Sequence, residues 1–77
     1  MTKEEETYYN NYFSLFQSAG WAQLVEDLQD RFDAYEIGYL KDAKDLYTVQ
    51  GELSIIRMIL NLEDFIEQGY KSANESN

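Results

Sequence analysis

The apolar positions of residues 45–60, DLYTVQGELSIIRMIL, fall on two stripes rather than one. On a helix turning about 100° per residue, Leu46, Val49, Leu53, Ile56 and Leu60 share a side. Ile55, Met58, Ile59 and Leu62 lie nearly opposite, with Gly51 among them. Gln50, Ser54, Arg57 and Asn61 separate the stripes on one edge, and Glu52 separates them on the other. A surface helix shows one apolar stripe, so two stripes predict a neighbour on each side. This segment reads as the central element, and both of its faces need covering.

Upstream, Trp21, Leu24, Val25, Leu28, Phe32, Tyr35 and Tyr39 recur at spacings of three and four. The far side of the same segment holds Glu26, Asp27, Asp30 and Asp33, with Glu36 nearby and only Arg31 to offset them. That is a helix with one buried and one wet, acidic side. It is expected over 21–38, ending at Gly38 as a C′ residue or running through to Leu40. Residues 39–45 form the connection, and Asp42 with Asp45 three positions on offers an N-cap. The next helix is expected from about 43 to 68. Asn61, followed by Asp64, can cap a fresh turn or two, Gly69 closes it, and 71–77 is expected as a frayed polar tail. Matched lengths and a short connection predict an antiparallel helical hairpin.

Before it, Tyr8, Tyr9, Tyr12, Phe13, Leu15 and Phe16 form an aromatic face at helical spacing, over about 4–17. Thr2 followed by Glu5 has the capping-box pattern, and Glu4, Glu5 and Glu6 suit the positive end of a helix dipole. Ser18-Ala19-Gly20 interrupts the pattern before Trp21, which reads as a core anchor. The expected fold is all-α: one small domain over 1–77, a three-helix arrangement with the hairpin at its centre. The expected hairpin core is Trp21, Leu24, Leu28, Phe32, Leu46, Val49, Leu53, Ile56 and Leu60. A mid-helix glycine costs roughly 1 kcal/mol relative to Ala. Gly51 therefore predicts a close neighbour, and the N-terminal aromatic helix is the preferred one. The seam 46, 49, 53, 56, 60 spans barely two heptads, too short for an autonomous coiled coil.

Composition narrows the function. A chain of 77 residues is near the lower limit for a self-sufficient core. With no Cys and no His, disulfide and ordinary metal support are missing, which leaves helix packing and oligomerisation. The absence of Pro and the presence of only four Gly favour uninterrupted helices. A formal charge of −9 argues against direct binding to nucleic acid or to an anionic membrane. No secretory or membrane-spanning segment is expected. The aromatic face is not read as a base-stacking platform, because such platforms come with a basic groove.

Common catalytic chemistry needs a nucleophile with a base, or paired acid and base groups held in a pocket. There is no His, Cys or Gly-rich phosphate loop, and the carboxylates sit on a solvated face. Glu26, Asp30 and Asp33 lie on one helix side, but Ca²⁺ sites converge oxygens from a loop. The chain is expected to be neither an enzyme nor a cofactor-binding protein.

Gly20-Trp21, Leu24 and Leu28, Gln50-Gly51 and Ile59-Leu60-Asn61-Leu62 together resemble small acidic proteins encoded among the head and portal genes of tailed bacteriophages. In that group a Gly-Trp opens one helix, and a Gln-Gly precedes a Leu-rich stretch in the next. The likeness covers about two thirds of the chain, which departs from it in having Asn61-Leu62-Glu63 where the group has a Pro. It implies a virion or assembly protein, in the virion or in the host cytoplasm during assembly. Its expected partners are capsid, portal or tail proteins and further copies of itself. The expected partner-binding residues are Tyr9, Tyr12, Phe13, Phe16, Gly51, Ile55, Met58, Ile59 and Leu62. Two rivals stand beside this reading: an acidic DNA mimic that inhibits a host nucleic-acid-binding protein, and a bacterial regulatory adaptor.

Overall fold

A capping box opens the first helix. Thr2 Oγ1 accepts the Glu5 N–H at 3.1 Å, and Glu5 Oε1 accepts the Thr2 N–H at 3.0 Å. Those bonds, the backbone one first, hold the Glu5 carboxyl below its ordinary range. The computed structural model describes residues 1–36 and 43–75, and the side chains of 36 and 43–46 fall outside that description. Four helices make up the described residues: α1 (Lys3–Phe16), α2 (Ala19–Glu36), α3 (Ala43–Leu60) and α4 (Leu62–Glu75). No strand occurs among them, and the fold is all-α. Gly38 as a helix stop, the Asp42–Asp45 cap and the place of Leu46 in the core lie outside the described residues and side chains.

Ser18 makes the break between α1 and α2. Its Oγ donates to the Leu15 carbonyl at 2.7 Å and accepts the Trp21 N–H at 3.1 Å. One hydroxyl thus closes one helix and caps the next, the role that favours Ser at N-caps. The α3–α4 junction is narrower. The Asn61 N–H still donates to Arg57 O and the Phe65 N–H to Asn61 O, each at 3.0 Å. The Asn61 side chain also donates to Arg57 O at 2.9 Å, competing for the ladder at that point.

The expected helix over 43–68 is therefore two helices, and the count is four rather than three. Gly69 does not end α4, and 71–75 of the expected tail is helical. The inner stripe of α4 explains this. Ile66 is buried at 2% exposure, and Tyr70 packs edge-on against Tyr9 and Phe13, at 5.5 and 5.2 Å between ring centroids.

Contacts between the arms run antiparallel along the whole molecule. Tyr35 and Arg31 of α2 bond Glu52 of α3, the Arg57 guanidinium lies over the Phe32 ring at 5.5 Å, and Trp21 Nε1 donates to Glu63 of α4 at 2.5 Å. Tyr9 and Phe13 then meet Tyr70. So α1–α2 forms one broken arm and α3–α4 the other. The molecule measures 52 × 26 × 15 Å. Fifteen ångströms is little more than one helix thick.

A hairpin one helix deep has little interior. Trp21, Ile56 and Ile66 are the buried hydrophobic residues among those described. Leu28, Phe32, Val49, Leu53 and Leu60 of the expected core are half-buried, and Leu24 is exposed. Ile66 was outside the expected core. The preferred neighbour of Gly51 is also overturned: α1 packs on α4 and α2, and among the described residues it makes no contact with α3.

Candidate protein-docking surface

The nine residues expected to bind partners divide into two groups. Tyr9, Tyr12, Phe13 and Phe16 are half-buried in a file of rings along α1. Tyr9 and Phe13 stack at 6.5 Å, Tyr12 and Phe16 lie 5.9 Å apart, and Phe16 meets Trp21 at 5.1 Å. With Tyr70 closing the other side, these rings hold the α1–α4 end of the hairpin together. Most of their area serves the fold.

The second group is Gly51, Ile55, Met58, Ile59 and Leu62. Ile55 is 57% exposed and Met58 63%, while Ile59 and Leu62 are half-buried beside them. Phe65, 71% exposed, continues the line onto α4, and Tyr47 extends it at the other end. Met58, Ile59, Leu62 and Phe65 line a groove of about 340 Å³, with Asn61 as its one polar residue. The Asn61 amide is already engaged by the Arg57 carbonyl. A small polar ligand would find almost nothing here to orient it, whereas an apolar side chain fits.

Among the described residues, and apart from the backbone of its own helix, Gly51 has no heavy atom within 4 Å of the position a Cβ would occupy. The close approach expected there occurs at Gly69 instead, where a Cβ would stand 3.0 Å from the Tyr9 hydroxyl. An aromatic ring of α1 does rest on a glycine of the other arm, but in α4.

Sequence reasoning missed Phe65, Tyr70 and Glu63. A signal for Phe65 was available: Thr48, Gly51, Ile55, Met58, Leu62 and Phe65 alternate at spacings of three and four, a seam that crosses the junction. No sequence signal pairs Glu63 with Trp21, because the bond joins residues far apart in the chain.

Charge is distributed unevenly around this surface. Glu26, Asp27, Asp30 and Asp33 all stand exposed on α2. Among the described residues no group of three or more acidic side chains is placed to hold a metal ion. Arg31, the one basic residue of α2, turns to Tyr35 at 3.2 Å and Glu52 at 3.4 Å. The Tyr35 hydroxyl first, and then Arg31, hold the Glu52 carboxyl below its ordinary range. No helix among the described residues is long and apolar enough to cross a membrane.

These features define an all-α hairpin, one layer deep, with an uncharged apolar ridge on one arm and an acidic row on the other. Compared with protein-family models, curated proteins and solved structures, the chain matches none.

Proposed function

We propose that this chain is a non-enzymatic component of a tailed-phage particle or of its assembly, acting by protein–protein contact. The observation that carries the docking role is the ridge Ile55–Met58–Leu62–Phe65, uncharged, with Ile55, Met58 and Phe65 exposed, on a chain of net charge −9. Contiguous apolar surface of this kind marks interaction sites. Aromatic residues and Met are favoured in interface cores, and charged residues are depleted there. The phage context comes from the resemblance of Gly20-Trp21, Gln50-Gly51 and Ile59-Leu60-Asn61-Leu62 to head and portal gene products. The partners are structural proteins of the capsid, portal or tail, and further copies of the chain.

The test is quantitative mass spectrometry of purified particles and of assembly intermediates from cells producing the phage. The expected result is the chain at a stoichiometric level in one of these. A Met58→Glu variant should be lost from it. Absence from both, with tight binding to a host nucleic-acid-binding protein that weakens steeply with salt, would overturn the reading. That outcome would favour the acidic-mimic role instead, for which the exposed row of Glu26, Asp27, Asp30 and Asp33 would be the contact surface.

A further inference from the structure

Three properties of the chain specify what covers the ridge. The first is excess surface. A folded monomer of this mass exposes about 4,900 Å², and this chain exposes 6091 Å². The excess, about 1,200 Å², is larger than the roughly 800 Å² that each partner buries in a standard stable interface. Shape agrees: the radius of gyration is 16.4 Å, against about 11.5 Å for a compact chain of this length.

The second property is charge. At −9 per chain, two copies repel each other, and the repulsion is weakest where they meet through surface without charge. Thr48, Gly51, Ile55, Met58, Leu62 and Phe65 form such a strip, with no ionisable side chain in it.

The third property is relief. Phe65 projects about two helical turns to one side of Met58, and Gly51 leaves open space about two turns to the other. A knob and a recess equidistant from one point on a single strip are what a self-complementary, twofold interface requires.

We infer that a second copy of this chain docks antiparallel on the α3–α4 ridge, about a twofold axis at Met58, with Phe65 of each copy seated over Gly51 of the other. In this register Ile55 of one copy faces Leu62 of the other and enters the groove beside Met58 and Ile59. The inference rests on the reading of the ridge as a docking surface and names its occupant. It also accounts for Gly51, since a helix-interior glycine with no neighbour among the described residues of its own chain is useful if a neighbour arrives from another.

The chain contains no Cys, so single-cysteine variants report contacts cleanly. Under mild oxidation Met58→Cys should cross-link to itself. Gly51→Cys and Phe65→Cys should each stay uncross-linked alone, since self-pairs at those positions stand about 21 Å apart along the axis. Mixed, the two should form a dimer. A Met58→Cys rate no higher than that of a Glu26→Cys control on the acidic row of α2 would overturn the proposal. So would self-linking of Gly51→Cys.

Sedimentation equilibrium of the cysteine-free chain provides the second measurement. A species of twice 9.1 kDa is expected at tens of micromolar, tightening as salt screens the −9 charges. Gly51→Leu should weaken it at least about tenfold while leaving the helical circular-dichroism signal intact, because a Cβ at that position meets none of the described residues outside its own helix backbone. A monomer throughout, or a dimer indifferent to Gly51→Leu, would overturn the inference. A monomer that still enters phage particles through Met58 would sink self-docking and spare the assembly role. A Gly51-dependent dimer never found in particles would do the reverse.

Discussion

Ile66 and Leu53 show how burial differs between residues of the same chemical kind. Both are large aliphatics on inner stripes, yet Ile66 is 2% exposed and Leu53 only half-buried. Truncating a buried Ile or Leu costs about 2–5 kcal/mol, and the cost grows with the cavity left behind. Ile66→Ala should fall in the upper part of that range and Leu53→Ala at or below its lower end. Urea denaturation of the two variants, at a concentration where both are monomeric, checks the order. Equal midpoints would mean that α4 adds less to the core than its burial indicates. Gly69 is the other instructive residue. It sits inside a helix with no positive φ, where its missing side chain makes room for the Tyr9 hydroxyl. A glycine near a chain end is easily read as a stop; here it is a seat for a ring.

At the scale of elements, α2 and α3 are clasped by Tyr35, Arg31 and Glu52. The Glu52 carboxyl is held below its ordinary value of 4.5, by the Tyr35 hydroxyl first and Arg31 second. A carboxyl whose pKa is lower folded than unfolded adds stability above the unfolded value. That contribution disappears as pH falls through the folded value. Thermal unfolding should therefore occur at lower temperature as pH drops from neutral through the region of 4.5 and below. Glu52→Gln should show a smaller drop than the natural chain, checked by circular-dichroism melts across that range. Glu5 acts in the same direction at the start of α1, so the drop will shrink rather than vanish. If Glu52→Gln leaves the pH profile unchanged, the clasp contributes nothing to folding.

For the whole molecule, the decisive feature is a depth of 15 Å. Among the described residues burial is confined to Trp21, Ile56 and Ile66, and α1 has no buried residue. Local opening is easiest where few apolar contacts must break. Hydrogen exchange should find amides around Ile56 and Ile66 the slowest, and those of the first half of α1 the fastest. Protection of early α1 equal to that around Ile56 would show that another body covers the aromatic face. The same shallow depth leaves Ile55, Met58 and Phe65 exposed.

Much of this protein follows from local pattern. The 3.6-residue periodicity, the Thr2–Glu5 capping box, the interruption at 18–20 and the lack of Pro determine an all-α chain with an antiparallel hairpin. They also mark Trp21 and Ile56 as core and place Ile55, Met58, Ile59 and Leu62 on one stripe, separate from the hairpin seam. All of these depend on residues within a few positions of each other. Which surfaces meet across the hairpin depends on how the arms align, and only the tertiary structure decided it. It sent α1 to α4 rather than over α3, held α4 as helix to Glu75 through Ile66 and Tyr70, and put the Tyr9 ring on Gly69 instead of Gly51. Two apolar stripes require two neighbours, but periodicity does not say which chain supplies the second. Here α2 covers one stripe, and the other faces outward.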